Sequence, residues 1–326
     1  MTQFSDISVV IHGPVSSLPD RGMDEGITQK SVQSVREHLP GARIILSTWE
    51  DQDVSGLDYD VLKLNQDPGC NIVGYNKAHE PRKENNNRQI VAVREGLKLV
   101  ETPYAVKLRS DNYLCHSGFV GLQQAFPYRA ENYRIFDERV VVPHKYTKMV
   151  TDGRQIARHL CDFFAYGRTT DLLRMWDIPL LEDYPLDTNI HNRPQYHGCP
   201  ERIISAEQHF TCRWLAKLTG DQAYLQHHFD ASPALLTQWQ QILANNFVIS
   251  EAHNMGLKTV ARLSSHKVRA NEMSHAEWQM LYRQYCYPEY LPPVYQYYFG
   301  GMLYRKLKSP WEKIKRRIKA KTEFGL

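Results

Sequence analysis

Apolar residues in the first third of the chain follow two alternating rhythms. Residues 7–11 (ISVVI) form a short continuous apolar run closed by His12-Gly13-Pro14, which predicts a buried strand and then a loop. Over residues 28–39 the apolar positions Val32, Val35 and Leu39 recur every three or four residues and stop at Pro40-Gly41, a helical pattern with its terminator. Residues 42–47 and 61–64 read as the second and third strands. Residues 87–100, with Ile90, Val93, Leu97 and Val100 on one side, read as a helix, and 104–108 as the strand after it. Strands and helices alternating through short connections predict a mostly parallel sheet covered on both faces. The second half is less regular. Residues 139–143 and 162–166 read as strands, 170–176, 205–218 and 233–249 as helices, and 258–263 as a last strand. Residues 183–200, with three prolines and two asparagines, form a loop long enough to expect a function of it.

In sheets of this kind, ligands bind outside the carboxyl ends of the strands. His12-Gly13-Pro14, Ser47-Thr48-Trp49-Glu50 and Arg109-Ser110-Asp111 all stand at such ends. From spacing alone two readings of Asp111 stay open: a ligand for Mg²⁺ or Mn²⁺, which take one or two carboxylates plus phosphate and water, or a strand-end ion pair. Lys107 and Arg109 share one strand face and offer cations to a phosphate. Asn85-Asn86-Asn87-Arg88-Gln89 opens a helix, whose free N–H groups together with Arg88 suit a diphosphate; a plain Asn cap beside a solvated arginine reads equally well. Glu207, in Ser205-Ala206-Glu207-Gln208-His209, is either a first-turn glutamate favouring the helix dipole or a general base. His266 is a candidate metal ligand or an ordinary histidine, and His227-His228 reads as solvated loop. The chain has no G-x-G-x-x-G, P-loop, G-x-S-x-G or H-E-x-x-H pattern. That disfavours a Rossmann dehydrogenase, a Walker NTPase and the common hydrolases.

Composition and charge change this picture at one end of the chain. The first ten residues lack the basic and apolar regions of a signal peptide, and no run of about 18 apolar residues occurs, so the expected location is the cytoplasm. The six cysteines form no C-x-x-C pair and read as buried free thiols. Net charge is +4, yet residues 301–326 carry nine Lys/Arg against two Glu, which leaves a mildly acidic body. In that segment Leu303, Leu307, Trp311, Ile314 and Ile318 recur every three or four residues among lysines and arginines. A basic amphipathic helix behind a tyrosine-rich stretch suits an in-plane contact with the inner face of the cytoplasmic membrane; an ordinary solvated helix packed on the body and a nucleic-acid-binding tail are the other readings, whereas the acidic body is not expected to bind nucleic acid.

The segments ISVVIHGPV, ITQKSVQSVREHLPGARIILSTWEDQDVSGLDYD, LNQDPG, NNNRQIVAVREGLKLVETPYAVKLRSD and FFAYGRTTDLLRMWDIPL together resemble the WavE lipopolysaccharide-synthesis family over about residues 6–215. The resemblance implies an α/β, GT-A-like (Rossmann-like) fold, with a mostly parallel mixed sheet flanked by helices and a helical C-terminal region. It implies a glycosyltransferase with a nucleoside-diphosphate sugar donor and a lipid-linked or polysaccharide acceptor of lipopolysaccharide or capsule. By position, Gly13, Pro14, Ser47, Thr48 and Trp49 would line the nucleotide pocket and Arg88 would face the diphosphate. Arg109-Ser110-Asp111 would occupy the place of the D-x-D metal motif, with arginine in place of its first aspartate. Asp111 would then hold Mn²⁺ or Mg²⁺ or orient the sugar, and no organic cofactor is expected. Glu207 matches the late acidic base of inverting members. The expected division is a catalytic domain over 1–265, with its nucleotide part at about 1–115 and its acceptor part at about 116–265, and an extension over 266–326. A sugar-phosphate transferase or nucleotidyltransferase of capsule synthesis, or a non-catalytic assembly protein, are the other readings. Donor sugar, linkage and oligomeric state stay open.

Overall fold

The computed structural model describes residues 2–15, 25–76, 78–186, 202–220, 224–260, 271–292 and 295–324. Its strands are β1 (Ile7–His12), β2 (Arg43–Trp49), β3 (Val61–Asn65), β4 (Asn71–Tyr75), β5 (Pro81–Glu84), β6 (Tyr104–Arg109), β7 (Tyr113–Leu114), β8 (Val140–Pro143), β9 (Lys148–Thr151), β10 (Arg154–His159), β11 (Phe164–Arg168), β12 (Phe247–Ser250) and β13 (Leu257–Lys258). Its α-helices are α1 (Ile27–His38), α2 (Asn86–Leu97), α3 (Gly118–Gln124), α4 (Thr169–Trp176), α5 (Ala206–Thr219), α6 (Pro233–Asn246), α7 (Ala252–Met255), α8 (His275–Tyr285) and α9 (Tyr295–Phe324).

Seven strands form the central sheet in the order β12-β8-β11-β6-β1-β2-β3. β1 runs parallel to β2 and β6, β2 to β3, and β8 to β12; β11 alone runs against its neighbours β6 and β8. Every residue of β1 is buried, as a strand covered on both faces requires. Helices α2 and α4 pack on each other and on these strands. At Gly96 the approach of α2 is so close that a Cβ would meet Val10 Cγ1 at 2.5 Å and Ser47 Cβ at 3.1 Å. The α/β architecture expected from the alternation is therefore present, with a helical C-terminal region.

The strands and helices of the first half begin and end within about three residues of their expected bounds, inside the usual uncertainty of element ends. The helix expected over 233–249 ends instead at Asn246. Phe247 turns to φ −130°, ψ 157°, and 247–250 become the edge strand β12, because Phe-Val-Ile is a fully buried, partly β-branched run. The hairpins β4–β5 and β9–β10 were not expected, and α8 falls in the C-terminal region expected to be helical. α8 belongs to the body: Trp278 and Tyr282 are fully buried in the main core. Of the expected strand over 258–263, residues 258–260 are described and only Lys258, the end of β13, is in a strand; most of the 183–200 loop, Cys199 and His266 lie outside the described residues. The described cysteines are free, and Cys161 and Cys212 are buried as expected, whereas Cys70 is exposed.

Candidate active site

Strand exits converge on one rim. β1 ends at His12, and Gly13 follows at φ +117°, a setting that suits glycine. The turn is tied from two sides: Thr48 Oγ1 donates to the Gly13 carbonyl at 2.9 Å, and Ser110 Oγ donates to the Pro14 carbonyl at 2.7 Å. A Cβ on Gly13 would stand 3.0 Å from Ser110 Oγ, so the clamp also limits what residue can occupy the turn. Ser47 and Thr48 are fully buried and line neither the cavity at this rim nor the one around Glu207. Ser47 Oγ donates to the Ala92 carbonyl at 2.7 Å and accepts from Asn65 Nδ2 at 3.0 Å. They brace the rim instead of lining a nucleotide pocket, since both sides of β2 point into packed protein.

The other rim residues do meet in a cavity. A space of about 300 Å³ is lined by His12, Gly13, Pro14, Trp49, Arg88, Gln89, Arg109, Ser110 and Asp111, together with Asp51, Gln52, Asp67 and Asn85. Arg109 Nε donates to Asp111 Oδ1 at 2.8 Å and Nη2 to Oδ2 at 2.5 Å. Burial works against the Arg109 charge, but Asp111 outweighs it and raises the guanidinium above its ordinary value. Arg88 is held the same way: Nε and Nη2 donate to Asp67 at 2.8 and 2.5 Å, and Nη1 donates to Asn85 Oδ1 at 2.8 Å. Each fork thus spends one edge on a carboxylate that fixes its plane. His12 is almost fully buried with Nε2 unpartnered, and burial, then Lys107 and Arg109, keep its imidazole neutral. Lys107 does not join the rim. It is fully buried, with Nζ on the Asp162 carbonyl and over the Trp176 ring, and burial pushes its pKa down to about 8.

Asp111 does not fit a divalent-metal site as placed. Both its oxygens accept from Arg109, and no group of three or more His, Cys, Asp or Glu able to hold an ion occurs among the described residues. His266, the other candidate ligand, lies outside the described residues.

Glu207 sits in a second, larger cavity of about 650 Å³, which Glu84, Asp162, Phe163, His159, Arg202 and Arg316 also line. Its helix is set by a capping box, in which Ser205 Oγ accepts from the Gln208 N–H at 3.4 Å and Gln208 Oε1 from the Ser205 N–H at 3.1 Å. Gln208 Nε2 also donates to the Ala157 and His228 carbonyls at 2.9 and 3.0 Å. His228 is therefore a buried part of the frame, not the solvated loop that was expected. Behind Glu207, His159 Nε2 lies 3.7 Å from Oε2. His159 Nδ1 is 2.8 Å from the Tyr146 carbonyl, which can only accept. Nδ1 therefore carries the proton, and Nε2 turns a lone pair toward Glu207. Burial, then Lys148, holds this imidazole neutral. Burial, then the Glu207 charge, raises the carboxyl groups of both Asp162 and Glu84.

The two cavities share a wall. Gln89, on the smaller, donates to Asp162 Oδ2, on the larger, at 2.8 Å, and the Arg109 guanidinium lies 5.3 Å from the centre of the Phe163 ring. Asn85 lines one cavity and Asn86 the other. The expected residues are thus divided: Gly13, Pro14, Trp49, Arg88, Arg109, Ser110 and Asp111 on one side, Glu207 on the other. Asp162, Glu84 and His159 were missed. Asp162 had a readable signal, because β11 is antiparallel and the residues before it emerge at the same rim as the carboxyl ends of β1 and β6.

No curated protein matches the chain in sequence. Among solved structures, 4-diphosphocytidyl-2C-methyl-D-erythritol synthase from Anaerococcus prevotii is similar at 10% identity over 52% of this chain and 74% of that one, with a TM-score of 0.29. A cytidylyltransferase from Leptospira borgpetersenii serovar Hardjo-bovis is similar at 13% identity over 66% of this chain and 92% of that one, with a TM-score of 0.30. Scores this low say nothing about what the present chain binds. The family description "WavE lipopolysaccharide synthesis" matches residues 7–311.

Proposed function

This chain belongs to the WavE lipopolysaccharide synthesis family, and on that premise we propose that it is an inverting glycosyltransferase of GT-A type that moves a sugar from a nucleoside diphosphate to a saccharide of the bacterial surface. The observation that carries this reading is the shared wall. A small cavity with two fixed guanidinium groups adjoins a larger one with an oriented carboxylate, which is the layout a two-substrate transfer needs.

The nucleoside diphosphate occupies the smaller cavity, with Trp49 against the base and the diphosphate facing Arg109 and Arg88. The sugar reaches the wall at Gln89 and Phe163. The acceptor lies in the larger cavity with one hydroxyl at Glu207. As the acceptor oxygen bonds to the anomeric carbon, Glu207 takes its proton, and the bond from that carbon to the phosphate oxygen breaks with its electron pair leaving on the diphosphate. Fixed guanidinium charge meets the charge that develops on the leaving group, and a carboxylate already in place costs no reorganisation at that moment. His159, held neutral with its Nε2 3.7 Å from Glu207 Oε2, backs the carboxylate without adding a positive charge that would weaken it as a base.

Incubating the protein with a panel of nucleotide sugars and identifying the released nucleotide tests the reading. Release of a nucleoside diphosphate supports it. Release of a nucleoside monophosphate replaces it with sugar-phosphate transfer, and release of pyrophosphate from a nucleoside triphosphate replaces it with nucleotidyl transfer.

A further inference from the structure

Helix α9 meets its own protein with its polar side. Arg305 Nη1 lies 2.6 Å from Glu277 Oε1 on α8, and its Nη2 donates to the Glu272 carbonyl at 3.2 Å. Arg316 Nε lies 2.7 Å from Asp152 Oδ1 in the turn between β9 and β10. In that turn Gly153, at φ +74°, brings its backbone against the helix so closely that a Cβ would run into the Ser309 carbonyl. The apolar side faces away. Leu303, Leu307, Trp311, Ile314 and Ile318 are between 50% and 71% exposed. At 100° per residue they span about 80° of the helix, centred about 170° from the direction of Arg305, Ser309, Glu312 and Arg316. Exposed Lys306, Lys313 and Arg317 border this stripe on one edge and Lys315 on the other. A helix on the surface of a globular protein buries its apolar stripe and shows its charges to water; α9 does the reverse.

We propose that α9 is a docking surface for an anionic lipid bilayer, lying in the headgroup plane with its stripe at the acyl boundary. Among the described residues no helix is long and apolar enough to cross a membrane, so the contact lies in the plane of the surface. The cations on both edges choose the occupant. Two copies placed stripe to stripe would set like charges against each other, whereas anionic headgroups supply the opposite charge. The stripe is about 22 Å long from Leu303 to Ile318, enough for several side chains to insert together. The dock is also oriented. The polar side stays bound to the body, and Arg316 of the same helix lines the larger cavity. Docking therefore holds that cavity about one helix diameter, roughly 10–12 Å, from the acyl boundary, at the level of the headgroups. This inference stands apart from the transfer reading and does not require it; if the larger cavity takes the acceptor, the placement suits a saccharide carried on a lipid.

Flotation of the full-length protein with vesicles tests the inference, using phosphatidylcholine alone and phosphatidylcholine mixed with phosphatidylglycerol. The protein floats with the mixed vesicles, and its tryptophan emission shifts to the blue by an amount that Trp311→Phe removes. The double variant Leu307→Glu/Ile314→Glu changes exposed positions and keeps the wild-type melting temperature, while its vesicle affinity falls about 100-fold or more. Wild-type protein that ignores the mixed vesicles, or a double variant that binds them unchanged, overturns the proposal. So does a wild-type dimer, measured by light scattering, that the double variant splits, since the stripe would then serve a second copy.

Discussion

Arg109 and Asp111, two residues apart at the end of β6, face each other fork to fork, with Nε–Oδ1 at 2.8 Å and Nη2–Oδ2 at 2.5 Å, on the wall of the smaller cavity. The pair keeps a cation in a nearly buried site: the Asp111 side chain is only 4% exposed, while that of Arg109, at 24%, keeps an edge toward the cavity. The carboxylate thereby fixes the guanidinium plane and also competes with any diphosphate for it.

Substitutions of the two residues should therefore part company. Arg109→Ala removes transition-state charge and lowers kcat by about 10²–10³-fold, with weaker nucleoside-diphosphate binding. Asp111→Asn lowers kcat through lost orientation, yet tightens nucleoside-diphosphate binding because the competing charge is gone. EDTA leaves wild-type activity unchanged. Steady-state kinetics paired with calorimetry reads all three; weaker nucleotide binding by Asp111→Asn, or inhibition by EDTA, would return Asp111 to a ligand-holding role.

Glu207→Gln keeps the shape of the residue and removes the base. Turnover should fall about 10²–10⁴-fold with little change in the KM for the donor, because Glu207 lines the larger cavity, across the wall from the one proposed to take the nucleotide. Wild-type turnover by this variant would exclude Glu207 as the base.

Ser47 tests the division between scaffold and site. Ser47→Ala breaks two buried hydrogen bonds and should cost about 1–3 kcal/mol of stability. The KM for the donor should not change. A large KM effect in a variant with an unchanged melting temperature would place Ser47 on the ligand after all.

Several imidazoles make the fold acid-sensitive. Burial lowers the pKa of His12, His144, His159, His209 and His275 from the ordinary 6.5, with His209, beside Arg213, reaching about 4. Between the unfolded and folded values the unfolded chain binds more protons, so stability present above pH 6.5 is lost as pH falls through this window. The raised carboxyl groups of Glu84, Asp162 and Asp171 act in the opposite sense, since the folded protein keeps their protons longer. His209→Asn isolates one contribution. Denaturant titrations at pH 7 and pH 4.5 should show a smaller loss of stability in the variant, by up to a few kcal/mol. An unchanged loss would mean that His209 titrates normally in the folded protein.

The rim was legible where apolar runs end in polar residues: Ile7–His12, Arg43–Trp49 and Tyr104–Arg109 each announce a buried strand and the place where it stops. The facing side was not, for three physical reasons. Asp162 precedes β11, and a reading that looks only at carboxyl ends of strands passes over an antiparallel insertion. Glu84 closes the polar strand Pro81–Glu84, which has no apolar rhythm to mark it. Phe247–Ser250 follows α6 without a break in apolar character, and a fully buried strand lacks the alternation that would set it apart from one more helical turn. Ser47 and Thr48 show the converse: polar residues at a strand exit brace the frame when both faces of the sheet are covered.

Calorimetric titration of the full-length protein with UDP, CDP, GDP and dTDP, repeated with Arg109→Ala and Arg88→Ala, asks most directly whether the Arg109/Arg88 cavity holds a nucleoside diphosphate. One or more of these nucleotides should bind the wild type and lose at least about tenfold in affinity, roughly 1.4 kcal/mol, in either variant. Binding of none of them, or binding that both variants leave unchanged, contradicts a nucleoside-diphosphate site at this rim.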